Sequence, residues 1–355
     1  MAVASTRPRP PPWPMRDESS SLKITLADIA YDLGVSTATV SLALRDSPLV
    51  AQDTARRVRE RAQAMGYVYN RRAASLRTKR SDIVGVIVRD IINPFFAEIL
   101  ASIEAEVGAN KQTFLLCNHN DDKELQDGFV ETLVEFGADG VILSPSIGTS
   151  ADDVADMERR GLPVVTVART IEGAGVPAFI GNDREGLALA TSHLIERGHR
   201  DIALIGGTRK TSTGRERRAG FAEACERAGL DPTPRIDIEI PYWRRRGFEV
   251  ADELARDGRL PSAICCCSDT IALGVIAALQ RHGVRVGEDV AVTGYDDIEE
   301  AAFAAPALTT VYDGHHEMGR LAARALYEKI TGGEVETQPT TVAPRLVVRA
   351  SSGSA

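Results

Sequence analysis

Residues 22–48, LKITLADIAYDLGVSTATVSLALRDSP, contain two short helical patterns separated by a tight turn. The first helix has an apolar stripe at helical spacing: Leu26, Ile29, Ala30 and Leu33. Gly34 is placed to end it, because glycine adopts a positive φ without strain. The second helix has its own stripe: Val40, Ala43 and Leu44. Two helices joined this closely, with the small Ala30 at their crossing, predict a helix-turn-helix.

In a helix-turn-helix, the start of the second helix enters the major groove of DNA. The side chains that we expect to touch bases there are Thr37, Ala38, Ser41 and Leu42. They lack the amides and guanidinium groups that make bidentate base contacts, so they should contact thymine methyls and form hydroxyl hydrogen bonds. Three hydroxyl side chains near the two helix starts complete the predicted DNA-binding set of this region: Thr25, Ser36 and Thr39. The alternative is that both helices belong to another kind of small bundle.

The charge distribution supports binding to nucleic acid. A third helix, predicted from about Thr54 to Met65, carries four arginines: Arg56, Arg57, Arg59 and Arg61. Residues 1–80 contain 14 Lys and Arg against 7 Asp and Glu, whereas the rest of the chain contains 28 against 43. A basic head with a net charge of +7 can therefore contact phosphates while an acidic body with −15 stays away from them.

Residues 65–80, MGYVYNRRAASLRTKR, follow the third helix. They resemble the GYxPNxxAxxL hinge of the lactose/galactose-repressor (LacI/GalR) family. The resemblance implies a hinge helix at 69–80 that folds only on DNA and contacts the minor groove through Asn70, Ala73 and a wedging Leu76. A flexible linker with a stray leucine is the alternative. Leu42, Arg45 and Tyr69 differ from the residues that are common in the family at these positions. The differences leave the operator sequence open but do not argue against DNA binding.

The rest of the chain alternates buried strand patterns with amphipathic helical patterns. Strands are predicted at DIVGVIV, TFLLCN, DGVILS, PVVTVA, IALIGG, SAICCCS and VAVTGYD. Helices are predicted at 94–110, 122–137, 183–198, 214–229, 244–257, 268–283 and 314–331. This order predicts a doubly wound α/β body whose length suggests two lobes, with a ligand site in the crevice between them.

Segments of the body also resemble the LacI/GalR family in order and spacing, including INPFFAEI (92–99), LIERGHRDIALIGG (194–207) and GEDVAVTGYDDI (287–298). The resemblance implies lobes like those of periplasmic sugar-binding proteins, with doubly wound parallel sheets and three crossings between lobes. The predicted domains are a disordered tail at 1–21, a helix-turn-helix domain at 22–68, the hinge and an effector-binding and dimerisation domain at 81–350. Lobe 1 would comprise about 81–182 and 308–333, and lobe 2 about 183–307 and 334–350.

A sugar offers hydroxyl pairs and an apolar ring face, which proteins meet with Asp, Asn, Arg and an aromatic platform. The positions that match the family's site are Asp183, Arg217, Trp243 and Asp296, and we add Asp90, Phe95 and Phe303 as possible walls. Each polar candidate has a plainer alternative. The aspartates could cap a helix or hold a turn, Arg217 could be a surface charge and Trp243 a core residue. Ser268 stands where family members often carry Asn, which leaves the effector's identity open.

The sequence argues against several other classes of protein. It contains no GxSxG motif or phosphate-binding loop, and its histidines and cysteines show no zinc-binding spacing. We therefore expect that the chain is not an enzyme and that it has no metal site and no cofactor. A solute-binding protein is excluded by the basic head and by an N-terminus without a signal-peptide core. We expect a cytoplasmic protein without a membrane span.

These patterns predict a sequence-specific transcriptional repressor. Two heads of a homodimer would bind a pseudo-palindromic operator, because one head alone buries little surface. A small effector in the cleft, expected to be a sugar, would modulate operator binding. A nucleobase or nucleoside corepressor is the alternative.

Overall fold

The computed structural model describes residues 24–68 and 80–353. The predicted tail at 1–21 and the predicted hinge contacts Asn70, Ala73 and Leu76 lie outside these ranges. Two compact units result, one on each side of residue 77, and each is described by itself. Within the described residues, no helix is long and apolar enough to cross a membrane.

The N-terminal unit consists of the helices α1 (Leu26–Leu33), α2 (Thr37–Ala43) and α3 (Gln52–Ala64). Gly34 ends α1 with a φ of 67°, as the sequence predicts. The helices enclose a small apolar core of Ile29, Ala30, Val40, Ala43, Ala55, Val58 and Ala62. The small side chains of this core let the short helices approach closely, which confirms the predicted helix-turn-helix.

The first lobe of the body contains a six-stranded parallel sheet. Its strands are β1 (Ile83–Val88), β2 (Thr113–Asn118), β3 (Gly140–Leu143), β4 (Val164–Val167), β5 (Ala178–Gly181) and β11 (Thr340–Val342). Their order across the sheet is β11-β5-β4-β3-β1-β2. The helices of this lobe are α4 (Pro94–Ala109), α5 (Lys123–Glu135), α6 (Ala151–Arg159) and α12 (His315–Ile330). Strands β3 and β4 are buried along their whole length, as expected for central strands covered by helices on both faces.

The second lobe contains a four-stranded parallel sheet in the order β7-β6-β8-β9. Its strands are β6 (Ile202–Ile205), β7 (Asp237–Ile238), β8 (Ala263–Cys266) and β9 (Ala291–Thr293). Its helices are α7 (Asp183–Glu196), α8 (Ser212–Arg227), α9 (Arg244–Arg256), α10 (Asp269–Arg281) and α11 (Glu299–Phe303). Cys265 and Cys266 end β8, Cys267 follows directly, and all three are fully buried.

The division between the lobes differs from the predicted one near the C-terminus. Strand β10 (Thr310–Tyr312) pairs with β12 (Arg345–Val347) and lies beside β9, so residues 308–312 belong to lobe 2 rather than lobe 1. Strand β11 pairs with β5, so the segment up to Val342 belongs to lobe 1 rather than lobe 2. These two strands are only three residues long, and their positions depend on which distant strand they pair with.

Candidate functional site

The start of α2 is the candidate DNA-contacting surface of the N-terminal unit. Ser36 caps this helix, and its hydroxyl accepts the backbone N–H of Thr39 at 3.0 Å. Thr25 caps α1 in the same way, with Asp28 closing a capping box. Thr37 and Ala38 are exposed at the helix start. The predicted hydroxyls thus divide into those that stabilise helix ends and one, on Thr37, that faces outward.

Two other predicted base contacts are less accessible. Ser41 is only 4% exposed, and the guanidinium of Arg45 donates to its carbonyl oxygen at 3.1 Å. Leu42 is half-buried. Ser41 therefore does not share the exposed surface of Thr37 and Ala38, although the prediction placed all three side chains at the bases.

The arginines of α3 also divide into two groups. Arg56, Arg59 and Arg61 pair with Asp53, Asp46 and Asp32, respectively. The pair of Arg61 and Asp32 is bidentate, with distances of 2.6 and 2.8 Å, and it ties α3 to α1. Arg57 is exposed and has no carboxylate partner within the described part of the chain. It is thus the arginine of this helix with its charge most available to an external phosphate.

A cavity between the two lobes of the body, the cleft cavity, encloses about 440 Å³ including its mouth. Its walls come from both lobes: Arg89, Asn93, Phe95, Phe96, Ala168, Arg169, Gly181, Asp183, Thr213, Arg217, Tyr242, Asp296, Asp313 and Met318. Several of these residues directly follow strands or begin helices, and loops at strand ends converge at the edge of a parallel sheet.

Arg217 is the centre of the charged wall. Its guanidinium donates to an Asp183 carboxylate oxygen at 2.7 Å and to the Cys267 carbonyl at 2.5 Å, and it lies 3.5 Å from Asp296. It also stacks on the ring of Tyr295, with 3.7 Å between the guanidinium carbon and the ring centroid. Burial by itself lowers the pKa of Arg217, but Asp183 and its other neighbours raise that pKa well above its ordinary value. Arg217 is therefore a permanent cation.

The position of Tyr295 depends on a glycine. A Cβ atom at Gly186, on α7, would lie 2.6 Å from the Tyr295 hydroxyl oxygen. Only glycine leaves room for this ring between α7 and the guanidinium of Arg217. The helix that starts with Asp183 therefore also fixes the ring on which Arg217 stacks.

The two aspartates beside Arg217 are buried strongly enough to shift their ionisation. Burial raises the pKa of Asp183 to about 6, although Arg217 opposes the shift. Burial also raises the pKa of Asp296 to about 8, against the effect of Arg217 and with a contribution from Asp313. Both carboxyls are therefore protonated more readily than an exposed aspartate. The cavity can thus offer hydrogen-bond donors and acceptors side by side.

The loop that carries Asp296 has an unusual backbone. Asp296 has a φ of 115° and Asp297 a φ of 54°, which residues other than glycine rarely adopt. Asp269 holds this loop, since its backbone N–H donates to the Tyr295 carbonyl at 2.7 Å and its carboxylate accepts the Ile298 N–H at 3.0 Å. Asp269 therefore supports the loop, while the preceding residue, Ser268, caps α10.

Of the predicted effector-binding residues, the structure brings Phe95, Asp183, Arg217 and Asp296 together in the cleft cavity. The other three are not in its lining. Phe303 is 80% exposed and Trp243 is 49% exposed. Asp90 is buried, but it lies beside Arg89 and accepts the Ile92 N–H at 3.1 Å. Trp243 was predicted because it matches a position of the family's site, and Asp90 and Phe303 were added as walls, but none of the three lines the cavity.

The sequence interpretation missed Tyr242, the direct neighbour of Trp243. Tyr242 lines the cleft cavity, and its buried hydroxyl has no hydrogen-bond partner among the described residues. Burial raises its pKa, so the hydroxyl remains protonated. A buried hydroxyl without a partner is uncommon in folded proteins, and inside a cavity it is positioned to bond a ligand. The conformation of the loop before α9 decides which of the two neighbouring aromatic residues lines the cavity. No pattern in the sequence predicts this conformation.

Arg89 and Arg169 were also missed. Arg169 is buried and pairs with Asp121, and it donates to the Pro145 carbonyl at 2.9 Å. The Arg89 guanidinium lies 5.2 Å from the centroid of the Tyr242 ring. Burial and the charge of Arg169 lower the pKa of Arg89 from its ordinary value. The position of Arg89 directly after the buried strand β1 could have identified it from the sequence as a candidate for the cavity.

Comparisons with known proteins agree with both parts of the molecule. The family profile "Bacterial regulatory proteins, lacI family" matches residues 25–70, and "Periplasmic binding protein-like domain" matches residues 191–352. The chain is 34% identical to "HTH-type transcriptional repressor PurR" of Haemophilus influenzae (strain PittEE) over 332 residues, which cover 92% of this chain and 98% of that protein. It is 33% identical over 329 residues to the protein of the same name from Actinobacillus pleuropneumoniae serotype 3 (strain JL03), with the same coverage.

Solved structures give the same result. The Lac repressor dimer bound to operator and the anti-inducer ONPF has a TM-score of 0.83 at 25% identity, and the match covers 94% of this chain and all of that one. The CelR–cellobiose complex has a TM-score of 0.69 at 29% identity, covering 93% of this chain and all of that one. The chain belongs to the LacI family of DNA-binding transcriptional repressors.

Proposed function

We propose that this repressor binds a pseudo-palindromic operator as a homodimer and that a small molecule in the cleft cavity controls its affinity for DNA. The observation that carries the second part is the buried Tyr242 hydroxyl, which has no partner within the described residues and borders the cavity beside Arg217 and Asp296. The opposite wall of the cavity comes from the first lobe and includes Arg89, Phe95 and Phe96, so a ligand that bonds the Tyr242 hydroxyl and fills the cavity would contact both lobes. It would therefore favour one arrangement of the lobes over another, as an effector must.

We propose a nucleobase or nucleoside as the effector, which is the alternative rather than the main sequence-based expectation. The relatives named PurR favour this class over a sugar. The cavity also has three aromatic side chains, Phe95, Phe96 and Tyr242, and a flat ring system gains most from such walls. The donors and acceptors of Arg217, Asp296 and Thr213 would then bond the edge of the base.

A sugar is the second candidate, and a specific observation favours it. Asp183, Arg217 and Asp296 present several donor and acceptor atoms close together, an arrangement that suits the paired hydroxyls of a sugar. Two similar solved structures contain sugars, namely CelR with cellobiose and a LacI-family regulator of Enterococcus faecium with ribose.

Calorimetry of the full chain with hypoxanthine, guanine, adenine, ribose, glucose and cellobiose tests the effector class. We expect a nucleobase to bind and Tyr242→Phe to weaken that binding by about five- to tenfold, since one hydrogen bond contributes about 1 kcal/mol. Trp243→Phe is the matched control, because this neighbouring aromatic residue is outside the cavity lining, and it should leave the affinity unchanged. Binding of sugars alone would favour the second candidate, and equal effects of both substitutions would remove the cleft cavity from the proposal.

Fluorescence anisotropy with DNA from upstream of the chain's own gene tests the regulatory part. The bound effector should change operator affinity, and operator DNA should change effector affinity by the same factor. A ligand that binds tightly without altering operator affinity would contradict the proposed control.

A further inference from the structure

A second group of polar side chains lies outside the cleft cavity, where the first turns of α4 and α12 meet. Glu98 projects from α4, and His315 and His316 begin α12. One Glu98 carboxylate oxygen lies 2.6 Å from His315 Nε2 and 3.0 Å from His316 Nε2. One potential ligand atom from each of the three residues lies within 4.8 Å of the other two.

The orientation of His315 suits metal binding. Its Nδ1 lies 3.1 Å from an Asp313 carboxylate oxygen, so a proton on Nδ1 leaves Nε2 free to bind a metal. Histidine ligands of metals are commonly held by a carboxylate in this way. Two aromatic rings also fix the imidazole, with centroids 5.1 Å away for Tyr312 and 5.6 Å away for Phe95.

We propose that Glu98, His315 and His316 bind a divalent transition metal ion, with Zn²⁺ as the reference ion. Two imidazole nitrogens and one carboxylate oxygen form a donor set that zinc accepts readily, with bonds of about 2.0–2.2 Å. Tetrahedral ligands at that distance are about 3.4 Å apart. The Glu98 oxygen now lies 2.6 and 3.0 Å from the two imidazole nitrogens, so it would move away from both when the ion binds. His316 is 57% exposed and leaves the fourth position open to solvent.

The site is connected to the cleft cavity through two residues. Asp313 bonds His315 and also lines the cavity, and Phe95 packs against His315 and lines the same cavity. Metal binding would fix α4, α12 and Asp313 relative to one another. We expect the ion and the cavity ligand to influence each other's affinity, with His315 and Asp313 as the connection.

Metal binding can be measured on the full chain, without an affinity tag, in the absence of DNA and effector. Calorimetry should detect one Zn²⁺ per chain, and Co²⁺ should give visible absorption bands of a site containing nitrogen ligands. His316→Ala should weaken Zn²⁺ binding at least tenfold and change the Co²⁺ spectrum. This half-exposed side chain can be removed without disturbing the fold.

His282→Ala is the matched control, because His282 also pairs with a carboxylate, Asp252 at 2.8 Å, but lies in the other lobe. It should leave the zinc affinity and the cobalt spectrum unchanged. Failure to bind either ion, or equal affinities in the wild type and the His316→Ala variant, would overturn the proposal and identify the cluster as an ion-pair network only. Neither result depends on whether the chain binds a nucleobase or an operator.

Discussion

The two parts of this repressor use polar side chains in different ways. In the N-terminal unit, the hydroxyls of Thr25 and Ser36 bond backbone atoms three residues away, at the surface of short helices. In the body, Arg217 bonds Asp183 and approaches Asp296, which lie 34 and 79 residues away, and all three are buried. Local bonds at a surface contribute little and can be exchanged individually. Buried charges depend on one another, so loss of one leaves the others without compensation.

Removal of the central cation should have the largest effect. Arg217→Ala leaves Asp183 and Asp296 buried without their cation, and we expect the free energy of unfolding of the body to fall by about 3–5 kcal/mol. Urea denaturation measures this change, and effector binding should be lost as well. Arg215→Ala, two residues away and exposed, should change the stability by less than about 0.5 kcal/mol. Equal effects of the two substitutions would mean that the buried cluster is not specially dependent on Arg217.

The pH dependence of stability tests the same cluster. Burial raises the pKa of Asp183 to about 6 and that of Asp296 to about 8, so the folded chain binds protons that the unfolded chain has already lost. This contribution to stability is complete below about pH 4 and declines as the pH rises through 6 and 8. His315, with a pKa raised to about 9 by Asp313 and Glu98 against the effect of burial, acts in the same direction.

The urea midpoint of the wild type should therefore fall between pH 6 and pH 9. Asp296→Asn removes the carboxyl that titrates near pH 8 and should make this decline smaller. An unchanged decline in the variant would show that Asp296 is not the group responsible.

The salt dependence of operator binding tests the surface of the N-terminal unit. Arg57→Ala should reduce the slope of log affinity against log salt concentration by about 0.9, the value for one lost phosphate contact. Arg61→Ala is the matched control on the same helix. Arg61 already pairs with Asp32, and its substitution should change the slope less. If Arg61→Ala has the larger effect, the ion pairs seen within the unit do not persist on DNA.

The smallest expected effects separate capping from base contact at the start of α2. Ser36→Ala should lower the stability of the N-terminal unit by about 1 kcal/mol, because it removes the cap, and amide hydrogen exchange of α1 and α2 can detect this. Thr37→Ala should leave exchange nearly unchanged and weaken operator binding about fivefold, as measured by anisotropy. Loss of operator binding without any change in exchange in the Ser36→Ala variant would assign Ser36 to DNA contact instead.

Much of the fold could be predicted because its patterns are continuous along the chain. The helix-turn-helix, the long helices and the buried strands such as Gly140–Leu143 all follow from periodicity and helix-capping residues. The segments that form the short strands Thr310–Tyr312 and Thr340–Val342 were each predicted in the other lobe. Three residues carry too little periodicity, and their place is decided by hydrogen bonds to strands far away in the sequence.

The candidate site likewise contains residues that the sequence predicted and residues that it did not. Asp183, Arg217 and Trp243 were all predicted because they match positions of the family's site, yet only the first two line the cavity, and Tyr242 was not considered. The structure places Tyr242 inside and Trp243 at 49% exposure. Adjacent residues at the start of a helix point in different directions, and residue type does not reveal which one faces a cavity.

The sequence by itself determined the class of protein, the basic DNA-binding head, the helices and the α/β body, because each depends on spacing and charge within a short stretch. Only the tertiary structure decided which side chains meet: Arg217 with two distant aspartates, Tyr242 in the cavity and Glu98 beside two histidines 217 and 218 positions further along. The physical reason is that burial and charge pairing depend on distances in space, which chain folding sets between residues that are far apart in sequence.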